Sequence, residues 1–150
     1  MYKNKITSLR NKNSLTKQDL ASILNIDRTT YSHYENEDDI IPLKHLITIT
    51  DYFNISIDYI FNFTKNKNYA NQKHSYNIKN SSTRLKEFRK EHKLTQTKLG
   101  EILNCSYGTI AGYESGRYII ATPFLYDICK KYKISADYLL GKIDEPKYLK

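Results

Sequence analysis

Apolar residues recur along this chain at intervals of three and four, the spacing of amphipathic helices rather than of strands. Leu20, Ile23 and Leu24 mark one such face, and Leu46 with Ile49 marks another after Pro42. Five helices are predicted before residue 64, and the same pattern returns after residue 84. The chain is therefore expected to be all-α.

Polar residues at the ends of these apolar patterns predict where the helices start and stop. Thr16 with Asp19 three positions on predicts the N-cap of a second helix, and Asn25 suits the left-handed turn that closes it. Asp27 is predicted to cap a third helix and Ser56 a short fifth one. In the second half, Thr95, Ser106 and Ser135 occupy the matching positions.

The two halves align with each other. Residues 6–62, shifted by 79 positions, coincide with residues 85–141 without a gap, and about 18 of the 57 pairs are identical. Most of the remaining pairs exchange one apolar residue for another. We interpret the chain as two copies of one small domain.

Between the copies the sequence is polar and aperiodic. We expect a first domain over residues 1–64, a polar basic linker over 65–83, and a second domain with a short tail over 84–150. Ser82 or Thr83 is expected to cap the first helix of the second domain. A flexible linker of about 20 residues has an r.m.s. span of roughly 25 Å, enough to let one chain engage two successive major grooves.

The net charge of +8 favours a polyanionic partner, and its distribution is uneven. Residues 6–64 hold 5 Lys or Arg and 8 Asp or Glu, whereas residues 84–142 hold 11 and 6. Residues 65–83 add four lysines and no acid. Cys105 and Cys129 have no metal-like or CxxC spacing, and both align with predicted interior helix positions.

The segments Leu15–Asn36 and Leu94–Gly116 resemble the helix-turn-helix of the phage-repressor family, the lambda-repressor-like or XRE domains. Both carry Leu-Thr at the start, Ile-Leu-Asn before the turn and Tyr-Glu at the end. The Ile-Ser-x-Asp-Tyr pattern that closes each copy resembles the fifth helix of that family, so the likeness covers nearly all of both repeats. It implies two tandem five-helix domains that bind double-stranded DNA through recognition helices at about 28–36 and 107–115.

Carried over position by position, the resemblance implies a set of DNA contacts in each copy. In the first copy, Arg28 would bind guanine bidentately and Thr29 would offer its hydroxyl or its methyl. The remaining candidates in that copy are Lys17, Gln18, Ser32 and His33. In the second copy the candidates are Gln96, Tyr107, Gly108, Thr109, Ala111, Gly112 and Arg117. Those helix positions offer few hydrogen-bond donors, and the two glycines either allow close backbone approach or contact with thymine methyl groups, or mean that this helix reads little sequence. Tyr107 and Gln96 are the best candidates for base contact there.

The loop after the recognition helix differs between the copies. The family usually places Gly and basic residues there to grip phosphate, and the second copy keeps them as Gly116 and Arg117. The first copy has Glu37, Asp38 and Asp39 instead, which would repel phosphates unless the loop turns away. The resemblance also implies that Arg10 with Glu35, and Arg89 with Glu114, form structural ion pairs.

These observations predict a small bacterial or phage-type transcription regulator, a repressor, that binds two unlike half-sites. An alternative is a co-regulator or antagonist in which one domain docks another regulator, and non-specific nucleoid or RNA binding is a third. A homodimer stays open. No catalytic, cofactor or metal-binding residues are expected, because the sequence has no phosphate loop, nucleophile elbow or metal-ligand spacing. With no signal peptide or membrane-spanning run, a cytoplasmic protein without a small-molecule ligand is expected.

Overall fold

The computed structural model describes residues 3–150, with side chains from Lys5 onward, and that part of the chain divides into two units between Tyr69 and Ala70. Each unit contains five helices. The first unit has α1 (Lys3–Lys12), α2 (Lys17–Leu24), α3 (Arg28–Glu35), α4 (Leu43–Phe53) and α5 (Ile57–Ile60). The second has α6 (Ile78–Glu91), α7 (Gln96–Leu103), α8 (Tyr107–Glu114), α9 (Thr122–Tyr132) and α10 (Ala136–Leu139).

The predicted caps of α2, α3, α5, α7, α8 and α10 are confirmed. The Thr16 hydroxyl accepts a hydrogen bond from the Asp19 backbone amide at 3.0 Å, while the Asp19 carboxylate accepts one from the Thr16 amide at 2.7 Å. Such a reciprocal capping box satisfies two amides that the helix itself leaves free. Asn25 and Asn104 close α2 and α7 with φ values of 57° and 59°, a left-handed conformation that asparagine tolerates.

Each unit builds its core from the apolar faces that the sequence pattern predicts. Leu20, Leu46 and Ile49 are fully buried in the first unit, and so are Leu99, Leu125 and Ile128 in the second. Across residues 3–150 there is no β-sheet, and Ile134 and Tyr148 form an isolated antiparallel bridge. The all-α prediction is confirmed.

Parts of the segment predicted to be a flexible linker are hydrogen-bonded to the folded units. On the first unit, the Ser56 amide donates to the Lys67 carbonyl at 2.8 Å and the Tyr69 hydroxyl donates to Asp58 at 2.7 Å. On the second, the Lys73 amide donates to the Lys142 carbonyl at 2.8 Å.

Helix α6 also starts earlier than predicted. It begins at Ile78, and Asn77 rather than Ser82 or Thr83 supplies the cap. Residues 78–83, expected in the linker, therefore form the first turn and a half of a helix. The polar, aperiodic sequence predicted flexibility, but here Asn77 caps a helix and Tyr69 is hydrogen-bonded to the first unit. Tyr69 and Lys73, both within the predicted linker, are thus hydrogen-bonded to their own units.

Candidate nucleic-acid interface

The turn between α2 and α3 sets the geometry of the first unit's surface. It contains three residues, Asn25 to Asp27, and the Asp27 carboxylate accepts a hydrogen bond from the Thr30 amide at 2.7 Å. This bond holds the pKa of Asp27 below its ordinary value. Buried Leu20, Leu24 and Tyr31 pin the two helices against each other. The N-terminal half of α3 is thereby presented on the surface.

The predicted contact residues of α3 lie together on that exposed face. Arg28, Thr29 and His33 are exposed, and Ser32 is half-buried between them. The Lys17 ammonium group at the start of α2 donates to the Ser32 hydroxyl at 3.1 Å. Lys17 thus extends the face of α3 with a positive charge. Gln18 is exposed one residue further on and donates to the Ser22 hydroxyl at 3.1 Å.

The acidic loop after α3 folds back onto the end of the helix. The Asp38 and Asp39 amides both donate to the His33 carbonyl, at 2.9 and 3.3 Å. The Asp38 carboxylate lies 3.3 Å from His33 Nδ1. Negative charge therefore sits directly beside one of the predicted contact residues.

Glu37 occupies a backbone conformation suited to glycine. Its φ is +57°, and the aligned Gly116 in the second unit has φ +79°. A side chain in this left-handed region costs about 1–2 kcal/mol relative to the right-handed one. The two loops therefore share a backbone turn, although one carries a carboxylate where the other has glycine.

The second unit repeats the scaffold with a different surface. Tyr107 is 64% exposed at the start of α8, Gly108 is exposed beside it, and Ala111 is half-buried. Thr109 is half-buried, and its hydroxyl lies 3.1 Å from the hydroxyl of the N-cap residue Ser106. Thr109 is therefore in contact with the N-cap residue of α8, and its contact with DNA stays a prediction.

Gly112 is not part of the exposed surface, contrary to the prediction, because the ring of Tyr118 covers it. A Cβ on Gly112 would lie 2.7 Å from Tyr118 Cδ2. Tyr118 is itself 54% exposed, so it takes the place on the surface that His33 holds in the first unit. The sequence signal was present in the glycine that aligns with His33, but nothing local to that glycine indicated which ring would cover it.

Gln96 and Arg117 flank this surface. Gln96 is half-buried and makes a long hydrogen bond, 3.4 Å, from Nε2 to Glu114. Arg117 is exposed, with its guanidinium carbon 5.3 Å from the centre of the Tyr118 ring. The second unit thus keeps a free positive charge in the loop where the first unit has three acids.

Both expected ion pairs are formed and largely buried. Arg10 donates to the Glu35 carboxylate through Nε and a terminal nitrogen at 3.0 and 2.9 Å, and Arg89 makes the same fork to Glu114 at 2.6 and 2.9 Å. Hydrogen bonding to the carboxylates raises the pKa of both arginines. Each arginine also donates to the carbonyl of the leucine that opens the helix-turn-helix, Leu15 or Leu94, at 2.9 Å. These pairs fasten the first helix of each unit to its third.

Glu35 has further surroundings that Glu114 lacks. The Thr7 hydroxyl donates to Glu35 at 2.8 Å, whereas the aligned residue in the second unit is Lys86. Burial pushes the pKa of Glu35 up, but the hydrogen bonds from Arg10 and Thr7 prevail and lower it. Burial raises the pKa of Tyr31 far above its usual range, and its hydroxyl has no hydrogen-bond partner of good geometry.

Within residues 3–150, no group of three or more His, Cys, Asp or Glu side chains is arranged to hold a metal ion. No helix in the same range combines the length and apolar character needed to cross a bilayer.

Comparison with known proteins identifies the fold. A family model described as helix-turn-helix matches residues 6–60 and again residues 85–139. An uncharacterized HTH-type transcriptional regulator of Bacillus subtilis (strain 168), YobD, is 35% identical over 63 residues, which are 42% of this chain and 56% of that protein. The chain thus matches little more than half the length of this curated relative. No solved structure matches. The chain belongs to the XRE-like helix-turn-helix family and carries two copies of its domain.

Proposed function

We propose that this chain binds double-stranded DNA sequence-specifically as a small bacterial or phage-type transcription regulator and represses by occluding its site. Family membership supports a DNA-binding role in transcription regulation rather than an enzymatic one, and the similar protein YobD is named as a transcriptional regulator. Such a regulator acts in the cytoplasm, where the DNA is.

The observation that carries the proposal is the exposed face of α3. Arg28 and Thr29 stand at the N-terminal end of that helix, the end that contacts base edges when a helix of this type lies in the major groove. An arginine there binds the O6 and N7 atoms of guanine with two parallel hydrogen bonds. We assign Arg28 the role of reading guanine.

Lys17 and His33 support that reading from either side. The bond between Lys17 and Ser32 holds an ammonium group beside the recognition helix, where it neutralises phosphate or donates to a base. His33 keeps Nε2 for DNA while Nδ1 faces Asp38. Gln18 lies at the start of α2, whose first-turn amides favour an anion.

The second domain supplies the stronger hold on the backbone. Arg117 replaces the carboxylate of Asp38, and Gly116 replaces that of Glu37. Each Lys or Arg that neutralises a phosphate releases a counterion and strengthens binding at low salt. We infer a division of labour in which the first domain reads sequence by hydrogen bonding and the second grips the duplex.

Because α3 and α8 present unlike side chains, the DNA site should consist of two unlike half-sites rather than a palindrome. The test is selection of sites from a random duplex library at about 150 mM salt with the full chain. We expect an asymmetric bipartite motif. A strict palindrome would instead indicate a homodimer with one reading domain per half-site.

The control is Arg28→Ala in the same selection. It should relax the preference for guanine at one position and leave the other half-site unchanged. No enrichment by the folded wild-type chain would contradict sequence-specific binding. Affinity that depends steeply on salt but not on sequence would then indicate non-specific binding to DNA or RNA.

A docking role is the second candidate, and the charge of the first domain favours it. That domain carries 8 acids against 5 bases over residues 6–64, and Glu37, Asp38 and Asp39 are all exposed. A basic partner regulator would fit such a loop. In that case neutralising the three acids would abolish partner binding, whereas a DNA reader should bind DNA more tightly after the same change.

A further inference from the structure

The exposed face of α8 has the form of a shallow apolar trough. Positions 107, 108, 111 and 112 lie within about 140° of one another around a helix that turns 100° per residue. Gly108 and Ala111 form the floor, with no side chain larger than a methyl group. Exposed Tyr107 stands at one edge, and exposed Tyr118 lies over Gly112 at the other.

The wall formed by Tyr118 is held in place by the backbone as well as by its ring. The amides of Arg117 and Tyr118 both donate to the Gly112 carbonyl, at 3.0 and 3.3 Å, and the Ser115 hydroxyl donates to it at 3.1 Å. Any side chain on Gly112 would displace the ring, because its Cβ would lie 2.7 Å from Tyr118 Cδ2. Gly112 and Tyr118 therefore form one structural feature.

Packing inside the protein does not explain the glycine in the floor. A Cβ on Gly108 would meet the Ser106 hydroxyl at 3.7 Å, an ordinary van der Waals contact. Glycine in a helix costs about 1 kcal/mol relative to alanine. A larger residue would fit and stabilise α8, so the open floor points to what binds against it.

We propose that this trough receives the C5 methyl groups of thymine, so that the second domain reads T·A base pairs by apolar contact. In the major groove a thymine presents one methyl group and one acceptor, and small apolar side chains contact that methyl. The floor of the trough offers no donor for guanine or adenine, which excludes the bidentate readout assigned to Arg28. This inference rests on the proposed DNA-binding function and names what the second half-site contains.

The test uses a selected site in which each thymine is replaced singly by deoxyuridine, which lacks only the C5 methyl group. Loss of one buried methyl group should weaken binding by the full chain about fourfold. We expect such losses at one or two positions, all in one half-site. If every deoxyuridine duplex bound as tightly as the unmodified thymine duplex, the proposal would be overturned.

Variants of the residues that line the trough test whether it contacts the thymines whose replacement weakens binding. In Tyr118→Ala the deoxyuridine penalty should disappear, in Tyr118→Phe it should persist, and in Arg28→Ala it should be unchanged. Tyr52→Ala is a matched control, since Tyr52 is 53% exposed on the first domain and distant in sequence from both recognition helices. A deoxyuridine penalty that survives Tyr118→Ala would show that the methyl groups are bound elsewhere.

Gly108→Leu separates binding from stability. Leucine is a good helix former, so the variant should melt at or above the temperature of the wild type, yet it fills the trough. We expect this variant to bind the thymine duplex no more tightly than the deoxyuridine duplex. If no site is enriched by the wild-type chain, the proposed function fails; if a site is enriched and Gly108→Leu leaves its thymine preference intact, this inference alone fails.

Discussion

The two domains hold equivalent ion pairs, the same three-residue turn and helix caps at equivalent positions, and yet the helix that ends at the ion pair carries different side chains in each. In the first domain α3 offers Arg28 and His33 and is followed by acids. In the second, α8 offers Tyr107 and small residues and is followed by Arg117. The shared ion pairs and turn stabilise the fold, whereas the exposed faces of α3 and α8 differ between the copies. In each copy, therefore, different residues serve stability and recognition.

Removing one partner of an ion pair should have the largest effect. Glu35→Ala leaves the Arg10 guanidinium, 12% exposed, without its carboxylate and should lower the free energy of unfolding by about 3–5 kcal/mol. Glu114→Ala should do the same in the second domain. Urea unfolding of the full chain followed by far-UV circular dichroism measures both.

Glu101→Ala is the control, because Glu101 forms an exposed pair with Lys98 at 3.6 Å. It should change the free energy of unfolding by less than about 1 kcal/mol. If the two buried-pair variants behaved like this control, the pairs would not be what fastens the first helix to the third.

Acid should reproduce part of that loss in the first domain. The pKa of Glu35 is lower in the folded state than in the unfolded one, so the stability it contributes is present above the unfolded value of about 4.3 and is lost as pH falls through the folded value. Glu35→Gln should remove this part of the pH dependence, as measured by thermal unfolding between pH 3 and 7. An identical pH slope in wild type and variant would contradict it.

Arg28→Ala should cost about 1–3 kcal/mol of DNA binding and relax one base position. Tyr107→Ala changes the aligned position of the second domain and should leave that guanine preference intact. Fluorescence anisotropy with duplexes altered at single positions distinguishes the two. If both variants changed the preference at the same base pair equally, the claim that the two domains read different bases would be wrong.

Glu37→Gly should have the smallest effect on stability, a gain of about 0.5–1 kcal/mol, since glycine adopts φ +57° without steric cost. Gly116→Ala should lose a similar amount for the opposite reason. Glu37→Gly should also bind DNA more tightly at low salt, because one carboxylate fewer repels the phosphates. A destabilised Glu37→Gly variant would show that contacts of the glutamate outweigh the backbone strain.

The sequence predicted the helices and the caps at Thr16 and Asp27, because each depends on local chemistry, and the family resemblance predicted the ion pairs. It did not predict that Tyr118 covers Gly112, or that Lys17 bonds to Ser32, since both contacts join segments whose approach only the folded domain defines. The start of α6 was missed for another reason. Asn77 and Ile78 carry the signals of a cap and an apolar face, but the surrounding polar composition concealed them.

The hydrogen bonds at Tyr69 and Lys73 also affect how readily a protease cleaves the chain between them. Proteases cleave preferentially at exposed, flexible loops. Here Tyr69 is hydrogen-bonded to the first unit and Lys73 to the second, so the chain between them enters a protease cleft only after local unfolding. The two domains should therefore resist separation by limited digestion.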